Sequence, residues 1–406
     1  MVKLDDLYTV HSLALKNNRR GEDAVIFEVD KERRLRHQCQ IINERTHEIY
    51  QSYAFINMRW QPREVFGFAQ EKREIDFYVI WRLLPILEAE FCDRTFNSRK
   101  GKGVDAAVNQ LAESIRKVTH NYTREAWVIG WDLLGCFPNA NCDIACKQLQ
   151  KLVLDKYTGE DKDDLLWMIE AAIYCNPQLH CTRRSPVEMW QLIDEAKSLF
   201  SKPEGTGGVI GSYIWQIAMI LYFNDIDHWA VDDMGLEYIR FNDDHKIVVE
   251  NKEGGLALLP LFREKYTKVG ARMHPRKFSC QQASKGVRFL GRIIKGDRIY
   301  VDNRTIRRAD DRICDFNDIH DKLIHIEEFI SSINSTLGLL KNKNEFKNIQ
   351  RLVDSISPKW WEYVDMDWNR LCIVAREGYK HKDIVKLKFN KVWSRLNNRL
   401  TNRKPS

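Results

Sequence analysis

Three acidic residues stand where carboxylates are costly. Asp132 closes the apolar run Ala126–Leu133, and Asp243–Asp244 fall at the corner of LEYIRFNDDHKIVVEN, 111 residues further on. That second segment reads as strand, tight polar corner, strand. An ionised carboxylate beside buried strands costs free energy unless a cation compensates it. Mg²⁺ does so with one or two carboxylates plus substrate phosphates. Two such ions close together activate a 3′-hydroxyl and stabilise a pyrophosphate leaving group. The plainer reading of Asp243–Asp244 is an ordinary turn, where Asp is common. Asp232–Asp233 is a second such pair. It follows a helix ending near Trp229 and precedes Gly235, with no strand leading in, so a solvated turn is expected there.

The elements that must position these residues alternate along the chain. Residues 1–50 read as charged helix, and 53–68 as two strands broken at Pro62. Residues 74–92 have helical apolar spacing, with Pro85 expected to kink or restart the helix. The loop SRKGKG opens a further helix, and 126–133 is a short apolar strand. A helix follows from about Asn141. After a loop-rich stretch (175–190) comes the glycine loop EGTGGVIG, then a helix from about Ser212 to Trp229. A helix over about 254–269 and strands at RFLGRII and RIYV complete that part. The last hundred residues read as helical; Ile326, Phe329, Ile330, Ile333, Leu337 and Leu340 share one face.

Composition limits the classes. The 406 residues are 44% hydrophobic and 30% charged, which excludes wholesale disorder. Lys and Arg number 64 against 57 Asp and Glu, a net charge of +7. From Val301 onward the counts are 21 and 15, and from Arg376 onward 10 and 2. A basic end is a footprint for a polyanion or a solvated helix face. Lys386, Lys388, Lys391 and Arg395 interleave there with apolar residues, as a phosphate-facing helix would require. Trp360, Trp361, Tyr363 and Trp368 are core or a base-stacking platform. The ten cysteines lack paired spacing; Cys175 and Cys181 have no second pair to complete a zinc site. Neither a P-loop nor a dinucleotide fingerprint occurs. With no signal-peptide pattern and no apolar run able to span a bilayer, the expectation is a cytoplasmic protein with free thiols and no membrane.

In their order and spacing these segments resemble bacterial reverse transcriptases, from about residue 10 to 350. The first catalytic motif resembles Trp131-Asp132-Leu133-Leu134-Gly135-Cys136-Phe137. The second resembles Gly208-Val209-Ile210-Gly211 and the helix after it. The third is Phe241-Asn242-Asp243-Asp244, the fourth His274-Pro275-Arg276-Lys277, and the fifth Gly286 to Gly291, similar to the primer grip. CNPQLHCTRRSPVEMWQLIDEAKSLF, Ile210-Gly211 and SSINSTLGLLKNKNEF resemble the diversity-generating-retroelement branch and its unknown-group, defence-associated kin. There are departures. Asn242 replaces a hydrophobic residue, only Gln216 remains of Asn-x-x-Ser-Gln, and Lys72-Arg73 replaces Asp-Arg.

The resemblance implies an α+β right-hand polymerase. Residues 1–52 would be a helical extension, 53–128 fingers, 129–295 a palm with a small antiparallel sheet and an insertion at about 160–205, and 296–406 a basic helical thumb. It assigns two Mg²⁺ ions, with Mn²⁺ as the alternative, to Asp132, Leu133, Asp243 and Asp244. Lys277 would assist catalysis. Arg63, Arg73, Phe137, Ile210, Gly211 and Gln216 would bind the nucleotide, with Phe137 excluding a ribose 2′-hydroxyl. Arg99, Lys100, Lys102, Phe289, Leu290 and Gly291 would contact nucleic acid, as would Lys386, Lys388, Lys391 and Arg395. The implied partners are a non-coding template RNA, its cDNA product, dNTPs, and an accessory protein or a second copy of the chain. The expected activity is RNA-directed DNA synthesis in antiphage defence. The alternatives are mutagenic cDNA synthesis for diversification, template-independent nucleotidyl transfer, or a non-catalytic RNA-binding relative.

Overall fold

Leu7, Val10, His11, Ala14 and Leu15 recur at helical spacing and are the buried face of α1 (Leu4–Leu15). α2 (Glu22–Val29) and α3 (Lys31–Glu44) follow. The computed structural model describes residues 1–16, 21–46, 50–58, 62–341 and 343–380. The chain divides into two compact units, Met1–Gln281 and Gln282–Ser406.

In the first unit β1 (Ser52–Asn57) and β2 (Arg63–Phe68) form an antiparallel hairpin. Pro62, which has no N–H for a ladder, lies just before β2. α4 (Gln70–Glu90) runs on through Pro85 as one helix, so of the expected kink or restart the restart does not occur. Pro85 lies on the exposed face, while Ile75, Tyr78, Val79, Leu83 and Leu87 hold the helix against the core. α5 (Val104–Val118) leads to β3 (Trp127–Leu133). α6 (Cys142–Lys156) is capped by Asn141, whose Oδ1 accepts from the Ile144 N–H at 3.0 Å. α7 (Lys162–Ile173), β4 (Cys181–Arg183) and α8 (Val187–Trp190) follow, and β4 pairs in parallel with β1. α9 (Tyr213–Tyr222) is apolar on nearly every side and lies in the core. α10 (Asn224–His228) runs into a π-helical turn, Trp229–Asp233, so Asp232–Asp233 is helical rather than a loop.

β5 (Glu237–Phe241), β6 (Asp244–Val249) and, beyond α11 (Lys252–Lys268), β7 (Met273–Gln282) complete a four-stranded sheet with order β5-β6-β3-β7. β3 has neighbours on both sides, which explains its nearly continuous apolar run. β7, which carries Lys277, is a strand that the sequence reading did not assign. It is an edge strand, where Pro275 is tolerated, and its exposed residues hide the alternation.

The second unit opens with β8 (Val287–Phe289), β9 (Arg292–Lys295) and β10 (Arg298–Val301), an antiparallel sheet. α12 (Asn303–Asp318), α13 (Ile326–Leu340) and α14 (Phe346–Asp354) follow. The expected face of α13 is largely buried: Ile326, Phe329, Ile333, Leu337 and Leu340. Trp360 stacks on Phe329 at 3.9 Å and belongs to the core, whereas Trp368 is exposed. The hairpin β11 (Val364–Asp367) and β12 (Cys372–Ala375) interrupts the stretch read as helical. Four-residue strands are too short to declare a period of two. Lys386, Lys388, Lys391 and Arg395 lie outside the described residues. No helix among the described residues is long and apolar enough to cross a membrane.

Candidate active site

Strand register brings the carboxylates together. Asp132 on β3 pairs with Asp244 on β6, and Asp244 also faces Phe241 across the β5–β6 hairpin. Asn242 and Asp243 form its two-residue corner. Asn242 takes φ 53, a left-handed conformation that Asn tolerates and hydrophobic residues avoid. Its N–H donates to Asn97 Oδ1 at 3.3 Å. The departure at this position therefore suits the local backbone. The Leu133 N–H donates to the Asp243 carbonyl at 3.1 Å and locks the corner to β3.

Behind the corner lies a buried ion pair. Arg240 donates to Asp227 through Nε (2.9 Å) and Nη2 (2.6 Å), and to the Ile220 carbonyl at 3.0 Å. The Tyr238 hydroxyl donates to the same carboxylate at 2.7 Å. Both charged side chains are at most 1% exposed. The arrangement fixes β5 to the α9–α10 region through fully paired groups.

The glycine loop positions the opposite wall. The Gly207 and Gly208 N–H groups donate to the carbonyls of Ala140 (2.8 Å) and Phe137 (2.6 Å). The Phe66 N–H donates to the Ile210 carbonyl at 2.9 Å. Gly211 has φ 115, and a Cβ there would come within 2.1 Å of the Phe66 carbonyl oxygen, so no other residue fits. These interactions set Phe137 and Ile210 beside Asp243.

The result is a cavity of about 140 Å³ lined by Arg63, Phe137, Ile210, Asp243, His274 and Lys277 among others. Residues 69–294, more than half of the chain, match the family described as reverse transcriptase (RNA-dependent DNA polymerase). The chain belongs to the reverse transcriptase family. Its fold class is that family's α+β right-hand polymerase. Among solved structures it is similar to telomerase from Candida albicans in complex with a TWJ fragment of telomeric RNA: 10% identity, TM-score 0.45, over 79% of this chain and 61% of that one. Apo telomerase from Candida tropicalis is similar at 13% identity and TM-score 0.44, over 75% and 55%. A C-terminally truncated apo form from the same species gives 12%, 0.42, 63% and 55%. The reverse transcriptase chain thus spans between about half and three-fifths of those telomerase chains. No curated protein matches it.

In this reverse transcriptase the electrostatics of the corner are unbalanced. Burial, and then the charge of Asp132, push the Asp243 carboxyl up to about 6. Burial also raises Asp244, although Lys246 Nζ donates to its Oδ1 at 2.6 Å. Lys277 Nζ donates to Asp132 Oδ2. Asp132 Oδ1 is buried with no hydrogen-bond partner. An orphaned carboxylate oxygen beside a second carboxylate raised by its neighbour is the demand that a divalent cation meets. The pair Asp132 and Asp243 therefore fits Mg²⁺. Among the described residues no third Asp, Glu, His or Cys joins a metal-holding group, and Asp244 is engaged by Lys246.

The other expected site residues divide. Leu133 lines the same cavity. Arg73 does not: its Nη2 donates to the Ala14 carbonyl at 3.2 Å, and with Gly211 and Gln216 it lines a separate cavity of about 550 Å³. Lys72 is buried and paired with Asp76, which also accepts from Ser212 Oγ at 2.8 Å. Arg99 is 5% exposed, and it donates to Glu88 (2.9 Å) and to the Cys92 carbonyl (2.9 Å). Lys102 donates to Asp93, while Lys100 is exposed. In the second unit Phe289 is buried at the end of β8, and Leu290 and Gly291 take φ 47 and 76 in the β8–β9 turn.

Sequence reading gave no site role to Lys246 or Lys197, and His274 entered only as part of the fourth motif. Lys246 follows Asp244 by two residues and so shares its face of β6. Gly130 stands opposite it, and a Cβ there would meet the lysine side chain at 2.4 Å. A glycine within a β-run was the available signal. Lys197 lies in a loop with no periodic signal.

Proposed function

We propose that this chain is an RNA-directed DNA polymerase that copies an associated non-coding RNA into cDNA, in an antiphage defence system. The observation that carries the reading is the convergence of Asp132 and Asp243 at a hairpin corner. That corner opens on a cavity lined by Arg63, Phe137 and Lys277. Fingers over 53–128, palm over 129–295 and thumb over 296–406, after the 1–52 extension, are the domain assignment that accompanies it.

Asp132 and Asp243 would hold the divalent metal, with the Leu133 carbonyl beside them and Asp244 in support. Bound Mg²⁺, or Mn²⁺ in its place, supplies charge that lowers the pKa of a primer 3′-hydroxyl and offsets charge on the leaving pyrophosphate. The protein groups do the rest. Arg63 neutralises triphosphate oxygens. Lys277 leaves Asp132 when the nucleotide enters, and its Nζ carries a proton to the departing pyrophosphate. Phe137, half-buried at the cavity wall, excludes a 2′-hydroxyl sterically. Lys100 and the basic residues 386–395 would hold template and product through phosphates, without reading sequence.

The finer role rests on the departure at Asn242 and on the Ile210-Gly211 pair; Asn242 and Ile210 line the cavity with Asp243. Ile210 in particular also suits a mutagenic polymerase of a diversity-generating retroelement, and that is the second reading. The test is primer extension by purified protein with Mg²⁺ on a supplied RNA, together with sequencing of copurifying nucleic acid. RNA-dependent cDNA of one non-coding RNA supports the proposal. Frequent substitutions in the cDNA favour the second reading. Extension without a template, or RNA binding without synthesis, overturns both.

A further inference from the structure

The segment between β4 and the glycine loop enters the cavity from a side that the five catalytic motifs do not supply. Its turn, Glu195–Lys197, is capped by Asp194, whose Oδ1 accepts from the Ala196 N–H at 2.9 Å. The turn is strapped down at both flanks. Glu64 on β2 is 5% exposed and gives both carboxylate oxygens to the segment: Oε1 accepts from the Leu199 N–H and Oε2 from Ser198 Oγ, each at 2.8 Å. Lys202 Nζ donates to the Ala196 carbonyl and to Asn139 Oδ1, both at 2.8 Å. Leu199 is buried, and a Cβ at Gly207 would meet it at 2.2 Å. The segment is thus clamped to the fingers strand, to the loop after β3 and to the glycine loop.

This clamp sets Lys197 at the wall shared with Arg63, Asp243 and Lys277. Lys197 is exposed, and its ammonium makes no ion pair or hydrogen bond among the described residues. Glu64 already commits both carboxylate oxygens to the strap. Among the described residues Lys197 and Arg63 are therefore the cations of this wall that no carboxylate engages, whereas Lys277 is held by Asp132. A cleft holding three basic side chains from three separate segments suits a ligand with several anionic oxygens.

We infer that Lys197 binds the triphosphate of the incoming nucleotide, and that the strap through Glu64 and Lys202 exists to present it. The inference rests on the polymerase reading of the site. Lys197 donates to the phosphates and takes no part in bond making. Its removal acts on nucleotide affinity rather than on the chemical step.

The test compares the wild type with Lys197→Ala, Lys197→Arg and Lys202→Ala. Equilibrium binding of dGTP and dGMP with Mg²⁺ is measured beside primer-extension kinetics. Removing one charge-assisted hydrogen bond weakens dGTP binding by about tenfold or more. The affinity for dGMP stays within about twofold of wild type, since Lys197 reaches phosphates that the monophosphate lacks. In extension assays KM for dGTP rises while kcat is retained. Lys197→Arg recovers most of the affinity, and Lys202→Ala gives a smaller weakening of the same kind. Equal dGTP affinity in the wild type and Lys197→Ala overturns the inference, as does a parallel weakening of dGMP binding. If the wild type binds dGTP through Lys197 yet extends no primer, the polymerase reading falls and the phosphate site stands. If the wild type binds no triphosphate, both fall.

Discussion

The same dipeptide occurs twice in this chain in opposite surroundings. Asp232–Asp233 ends a helical stretch; Asp232 is 62% exposed and its carboxylate meets His228 Nδ1 at 2.5 Å. Asp243–Asp244 sits between β5 and β6 against β3, where burial raises both carboxyls and Asp132 adds its charge to Asp243. One pair is solvated and satisfied by a neighbour one turn away. In the other, Lys246 engages Asp244, while sheet register sets Asp243 against Asp132. Residue type is identical, so the chemistry of the second pair comes from what the strands bring beside it.

The largest contrast is in activity. Asp132→Asn or Asp243→Asn should lower nucleotide incorporation by about a thousandfold or more, because a metal site that no longer forms forfeits several kcal/mol of transition-state stabilisation. Asp232→Asn and Asp233→Asn should leave primer extension within about twofold. Equal decreases in both regions would break the comparison. Next comes stability. Asp227 lies on the helical side but carries the buried Arg240. Asp227→Asn should therefore cost about 3–5 kcal/mol in urea unfolding, since it leaves that guanidinium uncompensated.

Sugar selection sharpens the reading of the corner. Phe137→Val should raise ribonucleotide use relative to deoxynucleotide by about tenfold in a competition assay. An unchanged ratio would move the gate elsewhere. A distant basic set tests whether phosphate binding reaches beyond the cavity. Changing Lys386, Lys388, Lys391 and Arg395 to Gln should make the slope of log affinity against log salt shallower, by about 0.7–0.9 for each phosphate no longer neutralised. A slope identical to wild type would remove these residues from the nucleic-acid surface.

The smallest effect is on pH-dependent stability. The folded Asp243 carboxyl titrates at about 6, against 3.8 for an unperturbed one. The folded chain therefore binds the extra proton between those values, and stability from this group is present at low pH and disappears as pH rises through about 6. Asn at 243 cannot ionise and escapes that penalty. In metal-free buffer Asp243→Asn should melt above the wild type at pH 8, and the difference should shrink as pH is lowered through 6. The same substitutions at 232 and 233 should produce no such pH-dependent gap.

Much of this architecture was open to sequence reading. Short-range signals sufficed for the break at Pro62, the helix start near Asn141, the β5–β6 hairpin and the buried face of α13. Pro85 does not restart the helix because a proline on an exposed helix face is tolerated when the opposite face is packed. β7 and the β11–β12 hairpin were missed because edge and four-residue strands carry little alternation. Within the candidate site, Asp132 and Asp243 were legible from their setting at strand ends.

What the sequence determined by itself was the kind of residue at each strand end and corner, since turns, caps and apolar periods depend on neighbours a few positions away. The partners of the charges were decided only by tertiary structure. Arg99 and Lys102 look like free cations in SRKGKG, yet Glu88 and Asp93 engage them. Arg73 is held by the Ala14 carbonyl, away from the corner. Lys197, in a segment to which the sequence assigned no site residue, stands at the cavity because Glu64, some 130 residues earlier, clamps that segment. Charge interactions depend on distance through space and on burial, and neither can be counted along the chain.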